Sequence, residues 1–123
     1  DAARGDNRSP VISHRRRNSI SRETTFQQDV IDPILLHTTL DKLTHSVVGR
    51  LRQYHYLTSG VVVKLRFSDF ETLTRSERLE FSSDNFTEIL AAARRCFDRV
   101  ALTKPVRLIG VRLVRLRVRT SIQ

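Results

Sequence analysis

The chain has 123 residues and a mass of 14.2 kDa, one domain's worth, which excludes a two-domain enzyme. Lys and Arg number 22 against 13 Asp and Glu, a formal charge of +9 with a pI near 11.1, so a polyanionic partner is expected. One cysteine excludes an internal disulfide, and no stretch approaches the roughly 18 apolar residues of a membrane span; a soluble, cytoplasmic, monomeric protein is expected, with no membrane partner.

Residues 1–17, DAARGDNRSPVISHRRR, show no hydrophobic period and read as a basic linker. From Asn18 the run Ser19-Ile20-Ser21-Arg22-Glu23-Thr24-Thr25-Phe26 is rich in hydroxyl and β-branched residues and predicts a strand. Asp32-Pro33 is a helix start, with Asp32 as N-cap and Pro33 in the first helical position. Leu36, Leu40, Leu43, Val47, Leu51 and Tyr54 follow at steps of three and four, so a helix is predicted over 33–57, stopped by Thr58-Ser59-Gly60.

Val61, Val63, Leu65 and Phe67 then alternate with Val62, Lys64, Arg66 and Ser68, the pattern of a half-buried strand with a basic outer face. Asp69 to Thr72 predicts a turn, and 73–81 its hairpin partner. Asn85 with Glu88 three residues on is a capping box, opening a helix to near Val100 with Phe86, Ile89, Leu90, Ala93 and Phe97 on its apolar face. In the last segment Ile109, Val111 and Leu113 hold the odd positions, which then pass to Arg115, Arg117 and Arg119; this change of phase near Leu113-Val114 predicts a bulge.

The predicted order, strand, helix, strand, strand, helix, strand, is an α+β ferredoxin-like split βαβ (βαββαβ): a four-stranded antiparallel sheet, both helices on one face and the other face open. Residues 1–22 carry +4 and residues 99–123 carry +7, leaving −2 for the middle, so the first and last strands are the basic ones. On the open face Lys64, Arg66 and Arg112 would join the hydroxyls from Ser19 to Thr25, groups that donate to phosphate oxygens. A charge-solvated sheet face is the plainer alternative. Arg15-Arg16-Arg17 reads either as a solubilising tail or as a phosphate-tracking linker.

Signals for catalysis are weak. The glycines at 5, 49, 60 and 110 make no phosphate loop, and His14, His37, His45 and His55 have no metal-ligand spacing with one another or with Cys96. Cys96 falls on an apolar helix face beside Phe97 and reads as a core residue, while Asp69 and Glu71 fit turn chemistry. Neither a catalytic constellation nor a metal site is expected.

Asn18 to Phe26 resembles the K-S-I-G-x-E-x-T-F signature that opens the little finger of Y-family, lesion-bypass DNA polymerases, especially the bacterial polymerase IV branch. Arg4-Gly5-Asp6 with Val11 resembles the end of the thumb entering the tether. Leu65-Arg66-Phe67-Ser68-Asp69-Phe70 is similar to the family's second-strand and turn segment, and Arg107 to Leu113 to its R-x-I-G-V-R-L last strand. Asn18 and Ser21 depart from the Lys and Gly common in the signature.

The resemblance implies a thumb end and basic linker over 1–17, a little finger over 18–119 and a truncated tail at 120–123. It implies a non-catalytic module that grips the primer-template backbone, with Ser19, Arg22, Thr25, Arg107, Arg112 and Arg115 near phosphates. Lys64, Arg66 and Arg15 to Arg17 complete the candidate DNA-binding set. The implied parent is a DNA-directed DNA polymerase, and palm, fingers and thumb would be partners. Its Mg would be held by a palm domain absent here, so no cofactor is expected in this chain. The sliding clamp would be a partner of the full-length parent, through a tail beyond Gln123. A ferredoxin-like RNA-binding module and a small phosphate-ester hydrolase are the rivals, the first lacking surface aromatics and the second a phosphate loop.

Overall fold

The structure is a computed structural model and describes residues 18–119. The linker over 1–17, with Arg15, Arg16 and Arg17, and the tail at 120–123 lie outside the described residues.

The elements are β1 (Ile20–Val30), α1 (Pro33–Gln53), β2 (Tyr56–Phe67), β3 (Thr72–Ser83), α2 (Phe86–Asp98) and β4 (Val106–Val118). The strands form one antiparallel sheet in the order β1-β4-β2-β3, which makes the first and last strands neighbours. Both connections β1-α1-β2 and β3-α2-β4 straddle a strand, the split βαβ arrangement expected.

Asp32 caps α1 by accepting from the Ile34 amide at 2.9 Å, with Pro33 behind it where no helical amide is needed. Leu36, Leu40, Leu43, Val47 and Leu51 are buried against the sheet. The helix ends four residues earlier than the spacing predicts. Tyr54 is the C-cap and His55 takes φ 61°, a left-handed turn that histidine adopts more readily than most residues.

Thr58-Ser59-Gly60 is therefore no helix stop but part of β2. Buried Thr58 donates its hydroxyl to the Val114 carbonyl at 2.6 Å and accepts from the Gly60 amide at 3.3 Å. β1 also runs four residues beyond Phe26, to Val30, because its pairing with β4 resumes at Val106 after an irregularity.

At α2 the Asn85 side chain accepts from the Glu88 amide at 3.0 Å, as the capping box requires. The Asn85 amide, however, is taken by Ser83 Oγ at 2.9 Å. Ile89, Ala92, Ala93, Cys96 and Phe97 form its buried face. Arg94 bonds Asp41 on α1 at 2.7 Å, and Arg95 and Arg99 reach Glu77 on β3, so charge pairs fasten α2 to its neighbours.

The core is one cluster between the helices and one sheet face: Val61, Val63 and Leu65 from β2 and Ile109, Val111 and Leu113 from β4, against the buried stripes of α1 and α2. The phase change in β4 is present, but it is not a slip in pairing. Register with β2 holds through it, Leu113 opposite Val61 and Leu116 opposite Thr58. The two strands change face together: Tyr56 and Thr58 point inward below, Val61 and Val63 above. On β4 the change falls at Arg115, with φ 55°. The register shift between these strands lies instead at Arg66/Phe67.

Candidate nucleic-acid interface

Residues directly opposite in an antiparallel ladder share a face. The open face therefore reads across β1, β4, β2 and β3 in three rows. These are Ser21, Arg112, Val62, Ser76; then Glu23, Gly110, Lys64, Thr74; then Thr25, Leu108, Arg66, Thr72. Hydroxyls occupy both edges except at Glu23, and each row carries one cation in its centre. The helix-bearing face reads Arg22, Val111, Val63, Arg75 and Thr24, Ile109, Leu65, Leu73, apolar in the middle as a core face must be.

Among the candidates Arg112, Lys64, Arg66 and Thr25 thus share one face. Ser19 joins them, since Arg112 Nε donates to its Oγ at 3.2 Å. Arg66 Nε donates to Thr72 Oγ1 at 3.0 Å, and among the described residues no acid pairs with its charge. Lys64 is paired with Glu23 at 2.9 Å.

Arg115 belongs to this face by a different route. Its positive φ turns the side chain out over Gly60, where a Cβ would stand 3.4 Å from Arg115 Cδ and 2.7 Å from Val114 Cγ2. Gly60 is small so that the β4 side chains fit above it. Leu116 then packs on the core and exposed Arg117 points away from it, an arginine that the sequence patterning placed in the same run but did not count among the DNA-binding candidates.

Arg22 is exposed but stands apart, since its partner in the ladder is Val111 on the helix-bearing side. Arg107 sits at one end of the sheet, 3.7 Å from Asp29 and 4.9 Å above the Phe70 ring. Lys104, at that same end, bonds Asp69 at 2.7 Å and also Glu71; its ammonium holds the Asp69 carboxyl below the usual carboxylate range. Turn chemistry is thus what Asp69 does: it also accepts from the Glu71 amide at 3.0 Å.

A shallow depression of about 180 Å³ lies over the middle row, lined by Ser21, Glu23, Lys64, Thr74, Gly110 and Arg112 among others. His37 and His45 pack edge-on against Phe97 and Phe86 of α2. Cys96 is fully buried, and its burial pushes the thiol pKa up. Among the described residues no three His, Cys, Asp or Glu side chains stand close enough to hold a metal ion. No helix among them is long and apolar enough to cross a membrane.

The fold and this face define a small α+β module with a cation-bearing open sheet. The chain belongs to the impB/mucB/samB family C-terminal domain, whose model matches residues 17–123. It is 43% identical over 112 residues to DNA polymerase IV of Methanoculleus marisnigri and 37% identical over 102 residues to that of Streptomyces coelicolor. These alignments take in 90% and 83% of this chain but 31% and 21% of those proteins, so the chain spans a third or less of these relatives.

Among solved structures it matches a complex of the beta-clamp processivity factor with the little finger domain of PolIV. The TM-score is 0.64 at 23% identity, over 85% of this chain and 95% of the other. It also matches DinB from Sulfolobus solfataricus, with a TM-score of 0.61 at 16% identity, over 83% of this chain and 29% of that one. The fold is that of the little finger.

Proposed function

We propose that this domain grips the backbone of primer-template DNA through the open sheet face as the little finger of a lesion-bypass DNA polymerase, without catalytic groups of its own. One observation carries the reading: Arg112, Lys64, Arg66 and Arg115 converge on one face among Ser19, Thr25, Thr72 and Thr74. Arg and hydroxyl groups on adjacent strands suit phosphate oxygens, which carry little base information. The three central rows hold no aromatic ring on which a splayed base would stack, which argues against single-stranded RNA as the ligand.

Names of relatives extend the proposal to the parent: a DNA polymerase with palm, fingers and thumb beside this domain, its Mg held by the palm, and a sliding clamp among its partners. The proposed DNA-binding set is Ser19, Thr25, Lys64, Arg66, Arg112 and Arg115, with Arg107 at one end of the sheet and Arg22 at its edge; Arg15 to Arg17, outside the described residues, are proposed with it on their sequence alone.

The test is fluorescence anisotropy on primer-template DNA, matched single-stranded DNA and duplex RNA across a salt series. Duplex-DNA binding in the range of about 10⁻⁴ to 10⁻⁶ M, with log K falling about 0.9 per phosphate engaged, is expected. Preference for single strands, or a flat salt dependence, would refute it.

A further inference from the structure

We propose, on the reading of the open sheet as a duplex-backbone surface, that Glu23 is a built-in competitor for DNA phosphate. Its carboxylate holds Lys64 until a phosphate displaces it. Glu23 is the one acid in the three central rows, and it sits in the middle of them. It and Lys64 belong to β1 and β2, which are not neighbours, since β4 runs between them.

At that level β4 carries Gly110, so the two side chains meet over bare backbone, Glu23 Oε1 to Lys64 Nζ at 2.9 Å. A Cβ at 110 would stand 3.0 Å from Glu23 Cβ and 3.5 Å from Glu23 Oε1, closing the space they use. The depression above is bordered by Arg112, Ser21 and Thr74, all donors to an oxyanion.

Oxygens of a carboxylate and of a phosphate satisfy the same ammonium. Both side chains of the pair are open to water, 36% and 51% exposed, so the bond between them is weak and exchangeable. The seat is thus formed in advance and filled by the protein's own anion. Arg112 meets DNA unopposed, whereas Lys64 must first give up its carboxylate. Glu23 thereby sets the grip below what its cations alone would give, which suits a domain that has to move along the duplex.

The experiment compares wild type, Glu23→Gln, Lys64→Ala and the double variant on primer-template DNA by anisotropy over a salt series, with thermal melts to show that each is folded. Glu23→Gln keeps the shape and removes the charge. It is expected to bind about five-fold tighter at low salt, with a salt slope steeper by about 0.9. The gain should disappear when Lys64 is also Ala. Unchanged or weaker binding by Glu23→Gln overturns the inference, as does a gain that survives in the double variant. Failure of all four proteins to bind duplex DNA removes the underlying reading and the inference with it. Duplex binding indifferent to Glu23→Gln removes the inference alone.

Discussion

Arg112→Ala is the sharpest test of the sheet face. Arg112 lies on β4, inside the sheet; among the described residues its side chain bonds only the Ser19 hydroxyl and has no acidic partner. Its loss therefore frees no carboxylate and opens no core cavity, and the change in binding reports the phosphate contact. A hydrogen bond to a charged group contributes about 1.5–3 kcal/mol. Solvent exposure reduces this to about 1–1.4 kcal/mol, about a five- to ten-fold weaker Kd.

The weakening should be the same for every duplex sequence, and the salt slope should become shallower by about 0.9. Arg22→Ala is the control. It removes the same charge from the first strand, but from the row in which Arg22 stands opposite Val111 on the helix-bearing side, and about two-fold or less is expected from long-range attraction alone. Anisotropy titrations on three unrelated duplexes between low and moderate salt provide the comparison. Equal losses for the two variants, or a loss that depends on sequence, would refute the assignment of phosphates to the open face.

Other outcomes follow from packing and protonation. Gly60→Ala should cost about 1–3 kcal/mol in urea denaturation, because the new Cβ meets Val114 Cγ2 at 2.7 Å, and it should weaken DNA binding by displacing Arg115. Leu65→Ala, at a fully buried site on an inner strand, should cost about 2–5 kcal/mol without altering the salt slope of the folded protein. Cys96 holds its proton more tightly folded than unfolded, because burial disfavours the thiolate. Its contribution to stability is present below the unfolded thiol pKa of about 8.5 and is lost as pH rises beyond it. Melts from pH 7 to 10 should show a steeper alkaline loss for wild type than for Cys96→Ala.

Local periodicity was legible where one face of an element is greasy and the other is not. The stripe Leu36 to Leu51 and the alternation Val61 to Phe67 identified α1 and β2, and Asn85 marked the start of α2 correctly. β1 carried no such signal, because Ser21, Arg22, Glu23, Thr24 and Thr25 are all polar on an edge strand. Which of them looks to the open face is decided only by the ladder to β4.

The helix end was misread for a related reason. Tyr54 continues the three-four spacing past Leu51, and nothing in composition marks His55 as the left-handed residue that turns the chain. The change of phase in β4 was visible in its arginines. Its counterpart in β2 was hidden inside Thr58-Ser59-Gly60, a string that resembles a breaker. That Glu23 and Lys64 meet is likewise a property of strand order, with Gly110 the one trace of it in the sequence.

The paired change of face in β2 and β4 also couples the lengths of two segments far apart in the chain. From His55 to Gly60 and from Val114 to Arg119 the strands stay in step, so that Arg119 N still reaches the His55 carbonyl at 2.7 Å. Deleting one residue from the β4 segment alone would send Arg117 toward the core and Leu116 to water, and deleting one from the β2 segment alone would turn Thr58 and Tyr56 out of it. Gain or loss of a residue is therefore tolerable only in both at once, and these two stretches must drift in length together.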